Sequence, residues 1–271
     1  MEKVKVAICQ MLITEKKSKN LQKAEELIRE ASGEGAKLIV LPEMFNCPYD
    51  NAYFSRFAEE YPGESTQLLS QLAKELGVII IGGSIPEQEG DRIYNTCFIF
   101  GEAGELIGRH RKVHLFDIDV KNGIRFKESD TLTAGEEMTV VETVLGKIGV
   151  AICYDMRFPE LIRMMALEGA QVVIVPAAFN MTTGPAHWEA TIKVRALDNQ
   201  IYFIAASPAR NLEASYHAYG HSMLMNPWGD VVNKADETEQ ILYGDLDFDY
   251  LNRVREQLPL LKHRRSELYR L

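Results

Sequence analysis

Apolar residues follow two patterns along the chain, one typical of buried strands and the other typical of amphipathic helices. Short runs of Val, Ile and Leu without alternation are typical of strands that are covered on both faces. Elsewhere apolar residues recur every three or four positions, which predicts helices packed against a sheet. The predicted strands are 4–8, 37–41, 78–81, 93–100, 106–113, 139–144, 147–153, 171–175, 201–206, 221–225, 231–234 and 241–246, and the predicted helices are 20–31, 65–76, 159–168, 185–197 and 248–258.

The order of these elements predicts an α/β fold. Strands and helices alternate at first, and hairpins follow, for example across the turn at 101–104. Buried strands need cover on both faces, so two mixed sheets packed together with helices on the outer faces satisfy the pattern. We therefore expect a four-layer αββα sandwich; a doubly wound single sheet is the alternative, and the hairpins disfavour it. No linker divides the chain, which predicts a single domain over 1–271.

Composition excludes several classes of function. The net charge of −9 lacks the basic footprint of a nucleic-acid-binding protein. No apolar run is long enough to span a membrane, so we expect no membrane partner. The four cysteines form no CxxC pair and three of them lie in apolar strands. This usage is typical of a reduced, cytoplasmic protein.

Cys153 lies where a buried strand passes into a helix that has Pro159 in its first turn and Gly169 at its end. A thiol at this junction faces the carboxyl end of a sheet and lies near helix N-terminal amides. Both features favour the nucleophilic thiolate. Free cysteine is also among the most buried residue types, so a packing role for Cys153 is the alternative.

Glu43 and Lys112 also follow predicted strands, and groups at the carboxyl ends of strands converge at one rim of a sheet. A Glu, a Lys and a Cys in contact would form a hydrolytic set. Lys112 would favour the thiolate and hold the oxyanion, and Glu43 would move the protons. Glu128 could orient Lys112. The alternatives are a solvated Glu43 and a Lys112 on an exposed strand edge.

Other motifs carry weaker signals. His110 and His114 lie four residues apart at a strand end, where this spacing does not place both rings on one face as it does in a helix. We therefore expect no zinc site at these histidines. Gly101, Gly104 and Gly108 suit a hairpin turn rather than a phosphate-binding loop, and we expect no cofactor. A Cys–His pair remains an alternative, with His187 and His221 in the most distinctive contexts.

Three segments together carry a family resemblance: LPEMF (41–45), HRKVHLF (110–116) and GVAICYDMRFPE (149–160). They resemble, in order and spacing, the signature blocks of the nitrilase superfamily of carbon–nitrogen hydrolases. The resemblance implies the αββα fold, a triad of Glu43, Lys112 and Cys153 with Glu128 as a fourth member, a thioester intermediate and no metal. It also implies an oxyanion site formed by Lys112 and the backbone N–H of Tyr154.

The same resemblance implies a homodimer or a higher homo-oligomer assembled through helices that flank the sheets. The C-terminal tail, about 259–271, would lie in that interface. The expected partner is otherwise a small-molecule amide substrate.

Five further segments resemble the ω-amidase branch of this superfamily: FNCPY (45–49), LFDIDV (115–120), AFNMTTGPAHWE (178–189), SPAR (207–210) and GHS (220–222). The resemblance implies hydrolysis of the terminal amide of a small dicarboxylic acid monoamide, such as 2-oxoglutaramate or succinamate. Arg157 and Thr183 would hold the far carboxylate, and Phe179 and Tyr49 would shape the pocket.

Alternatives remain for the specificity and for Arg157. The guanidinium of Arg157 suits a bidentate carboxylate contact, yet internal pairing with Asp155 or Glu160 is an equal alternative. The pocket could also belong to a related amidase that acts on deaminated glutathione. A catalytically silent binding protein with the same fold is the alternative from another class, and the intact Glu43, Lys112 and Cys153 disfavour it.

Overall fold

A computed structural model describes residues 3–121 and 124–269. The strands are β1 (Val4–Gln10), β2 (Leu38–Val40), β3 (Ile79–Ile81), β4 (Ile85–Glu89), β5 (Arg92–Phe100), β6 (Leu106–Arg111), β7 (Asp117–Asp119), β8 (Arg125–Lys127), β9 (Thr139–Thr143), β10 (Gly146–Val150), β11 (Val172–Pro176), β12 (Tyr202–Ala206), β13 (Met223–Met225), β14 (Val231–Lys234) and β15 (Gln240–Leu246). The α-helices are α1 (Lys17–Gly33), α2 (Asn51–Phe57), α3 (Glu64–Leu76), α4 (Pro159–Leu167), α5 (Gly184–Asn199) and α6 (Phe248–Gln257).

Two mixed sheets carry most of the strands. The first has the order β15-β1-β2-β3-β5-β4, and β6 pairs with β5 as well. Within it β1, β2 and β3 run parallel, and the flanking pairs are antiparallel. The second sheet has the order β14-β13-β12-β11-β10-β9, with β10, β11 and β12 parallel. The pair β7–β8 forms a separate small hairpin.

Each sheet packs against the other sheet on one face and against helices on the opposite face. In β1, Val6 and Ile8 lie in a core that also contains Ile148 and Val172 of the second sheet. The alternate residue Ala7 lies in a core shared with α1 and α3. Helices α4 and α5 cover the outer face of the second sheet. The predicted four-layer αββα sandwich is therefore confirmed, and the single doubly wound sheet was wrong.

Several short elements were not predicted. The sequence pattern did not indicate α2, β4 or the β7–β8 hairpin, because these elements are short or carry charged residues at alternate positions. Helix α3 begins at Glu64, one residue before the predicted range 65–76. Gly63 is the N-cap residue of α3, and Thr66 Oγ1 accepts a hydrogen bond of 2.9 Å from the Gly63 N–H. The helix ends at Leu76 as predicted, and Gly77 after it adopts the left-handed conformation that glycine favours.

In the described parts of the chain, no helix has the length and apolar character that a membrane span requires.

Candidate active site

Glu43, Lys112 and Glu128 form a fully buried cluster of charges. Glu43 follows β2 by three residues, Lys112 follows β6 directly, and Glu128 follows β8 directly. Lys112 Nζ lies 2.9 Å from Glu43 Oε1 and 2.9 Å from Glu128 Oε1, and all three side chains are fully buried. The alternatives of a solvated Glu43 and an exposed Lys112 are therefore wrong. One ammonium between two carboxylates gives the cluster a formal charge of −1.

Cys153 lies beside this cluster, at a sharp bend of the backbone. It follows β10 by three residues and begins a 3₁₀-helix, Cys153–Arg157, that leads into α4. Its φ angle of 47° lies in the left-handed region, where residues other than glycine are strained. Strain of this kind is typical of functional sites. Because Tyr154 lies in the first turn of the 3₁₀-helix, its backbone N–H has no partner within that helix.

The thiol of Cys153 interacts with groups from both sheets. It lies next to the Glu43 carboxyl group, within range of a weak side-chain hydrogen bond. The backbone N–H of Ala178, which follows β11, donates to the sulfur. The sequence did not indicate Ala178 as a contact of the sulfur, because this contact depends on how β10 and β11 align. Cys153 is only 3% exposed, so the residue has little contact with solvent.

Burial raises the pKa of Glu43, although the charge and hydrogen bond of Lys112 oppose that rise. Among the described residues, no hydrogen-bond partner contacts the buried Oε2 of Glu43. A carboxylate in a water-poor site with one unfilled oxygen binds a proton readily. Glu43 is therefore suited to receive and return protons.

Burial also raises the pKa of the Cys153 thiol, and the negative charge of Glu43 raises it further. The expectation that the sheet edge and helix amides favour a thiolate was wrong, because burial and the adjacent carboxylate outweigh them. For Lys112, burial alone would lower the pKa, but the charges of Glu128 and Glu43 hold the pKa well above its usual range. The site thus pairs a neutral thiol with a permanently charged ammonium.

Glu128 and Tyr49 are linked to each other and to the ammonium of Lys112 by hydrogen bonds. The Tyr49 hydroxyl donates to Glu128 Oε1 at 2.7 Å, and Lys112 Nζ donates to the Tyr49 oxygen at 3.3 Å. The backbone N–H of Phe116 donates to Glu128 Oε2 at 2.6 Å. Burial and the charge of Glu128 raise the pKa of Tyr49 well above its usual range, so its phenol stays neutral. Tyr49 therefore belongs to the hydrogen-bond network as well as to the wall of the site.

Asn95, in the middle of β5, contacts both Glu43 and Lys112. Its side-chain Nδ2 donates to Glu43 Oε1 at 2.9 Å, and its backbone C=O accepts the N–H of Lys112 at 2.9 Å. The sequence pattern did not indicate Asn95 as a site residue, since an asparagine inside a strand carries no local functional signal. The pairing of β5 with β6 places it there.

Asp155 joins the segment of Cys153 to the segment of Lys112. Its Oδ2 accepts from the Ile152 N–H and from His110 Nε2, both at 3.0 Å. Its Oδ1 accepts from the backbone N–H and from Nδ1 of His114, both at 2.8 Å. Burial alone would raise the pKa of Asp155, but the hydrogen bonds of the two histidines hold it well below its usual range. His110 and His114 lie two residues before and two residues after Lys112. Their hydrogen bonds to Asp155 therefore hold the segment of Lys112 against the bend at Cys153.

Arg157 extends from the end of the same 3₁₀-helix. Its Nη1 donates to His187 Nδ1 at 3.0 Å, and its guanidinium lies 4.6 Å from the centroid of the Phe179 ring. Among the described residues no carboxylate pairs with Arg157, and its Nε is buried without a partner. The alternative of internal pairing with Asp155 or Glu160 is therefore wrong. The guanidinium keeps free donors for an external anion.

Phe179 packs in the core, whereas Thr183 is held by hydrogen bonds at the start of α5. Phe179 is buried, with its ring centroid 5.0 Å from that of Trp188. Thr183 is the N-cap residue of α5, and its hydroxyl and backbone N–H both bond to the side chain of Asn180. The carbonyl of Thr183 accepts the N–H of His187, the residue that contacts Arg157. Thr183 is thus linked to Arg157 through His187.

A cavity of about 310 Å³ opens beside Glu43. Tyr49, Ala178 and Tyr216 line it together with parts of the segment 208–218. The Tyr216 hydroxyl donates to the Ala178 carbonyl, which fixes this segment over the site. Arg157, Phe179 and Thr183 are not among the described residues that line the cavity.

No group of three or more His, Cys, Asp or Glu side chains within 3–121 and 124–269 is arranged to hold a metal ion. His110 and His114 instead bind the carboxylate of Asp155.

Comparisons with known proteins agree with this geometry. The family model described as carbon-nitrogen hydrolase matches residues 5–256. Omega-amidase NIT2 of Danio rerio is 52% identical over 269 residues, which cover 99% of this chain and 97% of that protein. Omega-amidase NIT2 of Homo sapiens is 49% identical over 269 residues, with coverage of 99% and 98%.

Among solved structures, Saccharomyces cerevisiae Nit3, a member of branch 10 of the nitrilase superfamily, superposes with a TM-score of 0.90. It is 46% identical in sequence, and the match covers 97% of each chain. The resemblance to the nitrilase superfamily is confirmed. The chain belongs to the carbon–nitrogen hydrolase family.

Proposed function

We propose that this protein hydrolyses the terminal amide of a small dicarboxylic acid monoamide, such as 2-oxoglutaramate or succinamate, to the acid and ammonia. The reaction is a hydrolysis of a carbon–nitrogen bond in a linear amide, and the nucleophile is Cys153. The omega-amidase relatives at about half identity over nearly the full chain support this assignment. The observation that carries it is one buried cluster in which the carboxylate of Glu43 contacts both the thiol of Cys153 and the ammonium of Lys112.

In the first half of the reaction, Glu43 takes the thiol proton of Cys153 as the sulfur attacks the amide carbon. A C–S bond forms and the carbonyl oxygen becomes an oxyanion. The ammonium of Lys112 and the backbone N–H of Tyr154 stabilise this oxyanion. Glu43 then returns the proton to the amide nitrogen, the C–N bond breaks, and ammonia leaves a thioester on Cys153.

In the second half, Glu43 takes a proton from a water molecule, which attacks the thioester carbon. The tetrahedral intermediate collapses, the C–S bond breaks, and the proton passes back to the sulfur. The free carboxylic acid leaves. The raised pKa of Glu43 suits this repeated exchange, because a weakly acidic carboxyl group with one oxygen free of hydrogen-bond partners can both accept and donate a proton.

Arg157 supplies the positive charge that an acidic protein needs for an anionic substrate. We assign it, with Thr183 and Phe179 nearby, to the far carboxylate of the substrate. The free donors of Arg157 and its stacking on Phe179 support this role. A planar guanidinium binds a carboxylate in two parallel hydrogen bonds.

The test is an ammonia-release assay with succinamate, 2-oxoglutaramate and a larger peptide-like amide of the deaminated glutathione type. We expect turnover of the two small monoamides and little turnover of the larger amide. Cys153→Ala should abolish ammonia release with the fold retained, whereas Cys9→Ala, a buried cysteine on β1, should stay active. Turnover that survives in Cys153→Ala would refute the cysteine mechanism, and preference for the larger amide would refute the substrate class.

We further propose that the protein forms a homodimer in solution through the outer helices and the tail at about 259–271, of which 270 and 271 lie outside the described residues. Exposed apolar side chains on α4 and α5, among them Met164, Leu167 and Val194, support this proposal. Light scattering tests it. The single-domain organisation over 1–271 and the cytoplasmic location also stay predictions.

A further inference from the structure

Asn95 is fully buried in β5 and lies against the two groups on which the proposed chemistry depends. Its backbone carbonyl accepts the N–H of Lys112, and its side-chain Nδ2 donates to Glu43 Oε1, both at 2.9 Å. A single residue therefore connects the strand that carries the ammonium to the carboxylate that faces the thiol.

The two donors on Glu43 converge on the same oxygen. Asn95 Nδ2 and Lys112 Nζ both bind Oε1, while Oε2 has no full hydrogen bond within the described chain. Two donors on Oε1 restrict the rotation of the carboxyl group. Oε2 is then the oxygen left to exchange a proton with Cys153.

The orientation of the Asn95 amide follows from its surroundings. Its Oδ1 is buried and has no partner among the described residues. The reversed orientation would place that oxygen against a carboxylate oxygen, which is repulsive. The fold thus leaves a buried carbonyl unsatisfied in order to point the N–H groups at Glu43, an arrangement that stability alone does not favour.

We propose that Asn95 is a positioning residue that holds the Glu43 carboxylate in the rotamer and charge state needed to accept the proton of Cys153. This inference rests on the proposed amide hydrolysis. The physical basis is that a hydrogen bond donated to a carboxylate favours its charged form. The donors of Asn95 and Lys112 on Oε1 both favour the ionised form of Glu43, which is the form that accepts the proton, and so oppose the effect of burial.

The test compares Asn95→Ala, Asn95→Asp and Thr96→Val in the pH dependence of kcat/KM, measured on the same monoamide as the wild type. Thr96 is the matched control, since its hydroxyl donates to buried Glu87 at 2.7 Å rather than to Glu43. Its loss removes a buried hydrogen bond to a carboxylate one residue away from Asn95.

In Asn95→Ala, kcat/KM should fall about ten- to a hundredfold, as expected for a lost hydrogen bond to a charged group. The acid limb of the profile should move up by about one pH unit, because Glu43 loses a donor to its charged form. Asn95→Asp places a further carboxylate beside Glu43 and should move the acid limb furthest. Thr96→Val should leave the acid limb where it is.

An acid limb that stays fixed in both Asn95 variants would overturn the inference, and so would an equal shift in Thr96→Val. Asn95→Asp is nearly isosteric and keeps the test valid if Asn95→Ala does not fold. If the wild type releases no ammonia from any amide, the proposed function fails. The alkylation rate of Cys153 against pH, followed by mass spectrometry of its peptide, then still reports whether Asn95 acts on Glu43.

Discussion

Glu43 and Asp155 are two buried carboxylates close to the same cysteine, and their hydrogen bonding differs. Glu43 interacts with the thiol of Cys153, whereas Asp155 lies two residues after it in the chain. Asp155 accepts four hydrogen bonds, from Ile152, His110 and His114, and these hold its pKa well below the usual range. Glu43 accepts hydrogen bonds on one oxygen alone, and burial raises its pKa. A carboxylate whose two oxygens both accept hydrogen bonds keeps its charge, whereas a buried carboxylate with one oxygen left without a partner exchanges protons more readily.

The comparison extends to other groups of the site. Glu128 resembles Asp155, because both of its oxygens accept hydrogen bonds. Arg157 resembles Glu43, because its buried Nε has no partner in the described chain. Among these four groups, Asp155 and Glu128 have partners on both oxygens and maintain the architecture. Glu43 and Arg157 each keep a buried atom without a partner in the described chain, and these are the two groups that we propose to meet the substrate. A change at Asp155 should therefore act mainly on stability, and changes at Glu43 and Arg157 should act mainly on activity.

The largest effect should follow Glu43→Gln. The glutamine oxygen can still accept from Lys112 and Asn95, but its amide faces the thiol and cannot take the proton. We expect kcat/KM to fall by about a hundred- to ten-thousandfold, as for the loss of a general base. The free energy of unfolding at neutral pH should not fall, because an acid whose folded pKa is raised reduces stability once it ionises. Activity within tenfold of the wild type would contradict the assignment.

Asp155→Asn should act mainly on stability. Two of its four donors would face an amide NH₂ group, and we expect a loss of about 3 kcal/mol in the free energy of unfolding at neutral pH. Because the folded pKa of Asp155 is lowered, its contribution is present above the unfolded value of about 4 and is lost as pH falls through the folded value. Urea titrations of both proteins should therefore converge toward acid pH. A constant difference at all pH values would contradict this account.

Arg157→Ala should act on substrate binding. The KM for succinamate should rise about ten- to a hundredfold, the range expected for a lost charge-assisted contact, with thermal stability little changed. A neutral amide of similar size is the matched comparison, and its turnover should be spared. Equal losses on both substrates would show that Arg157 does not hold the carboxylate.

Glu128→Gln should have the smallest overall effect of the four variants. One glutamine oxygen can replace only one side of the carboxylate, so either Phe116 or the Lys112–Tyr49 pair loses its acceptor. We expect a drop in kcat of about tenfold and a loss of about 1–2 kcal/mol in stability. A decrease in kcat as large as that of Glu43→Gln would place Glu128 among the proton-transfer groups and weaken the comparison.

Much of the fold and part of the site could be predicted from the sequence. The uniformly apolar β2 and β11 indicated sheets covered on both faces, and the positions of Glu43, Lys112 and Cys153 at strand ends predicted that they meet. These signals are local, because burial on two faces and the end of a strand are both visible in a short stretch of sequence.

The remaining features depend on tertiary structure. Asn95 lies inside β5, and the pairing of β5 with β6 places it under Lys112. The raised pKa of the Cys153 thiol depends on complete burial next to Glu43, which a strand–helix junction does not reveal. The link between Asp155 and the two histidines joins residues 41 or more positions apart. Such features need the packed structure.

The central claim is that Glu43 exchanges a proton in the folded protein while Asp155 stays ionised. Infrared difference spectra across a pH titration, wild type minus Glu43→Gln and wild type minus Asp155→Asn, measure both carboxyl groups directly. The account predicts a protonated carboxyl band assigned to Glu43 that persists to pH values above the ordinary range of glutamate, with no such band from Asp155 over the same range. A protonated band that belongs to Asp155, or a Glu43 that ionises at or below its ordinary pKa, would contradict it.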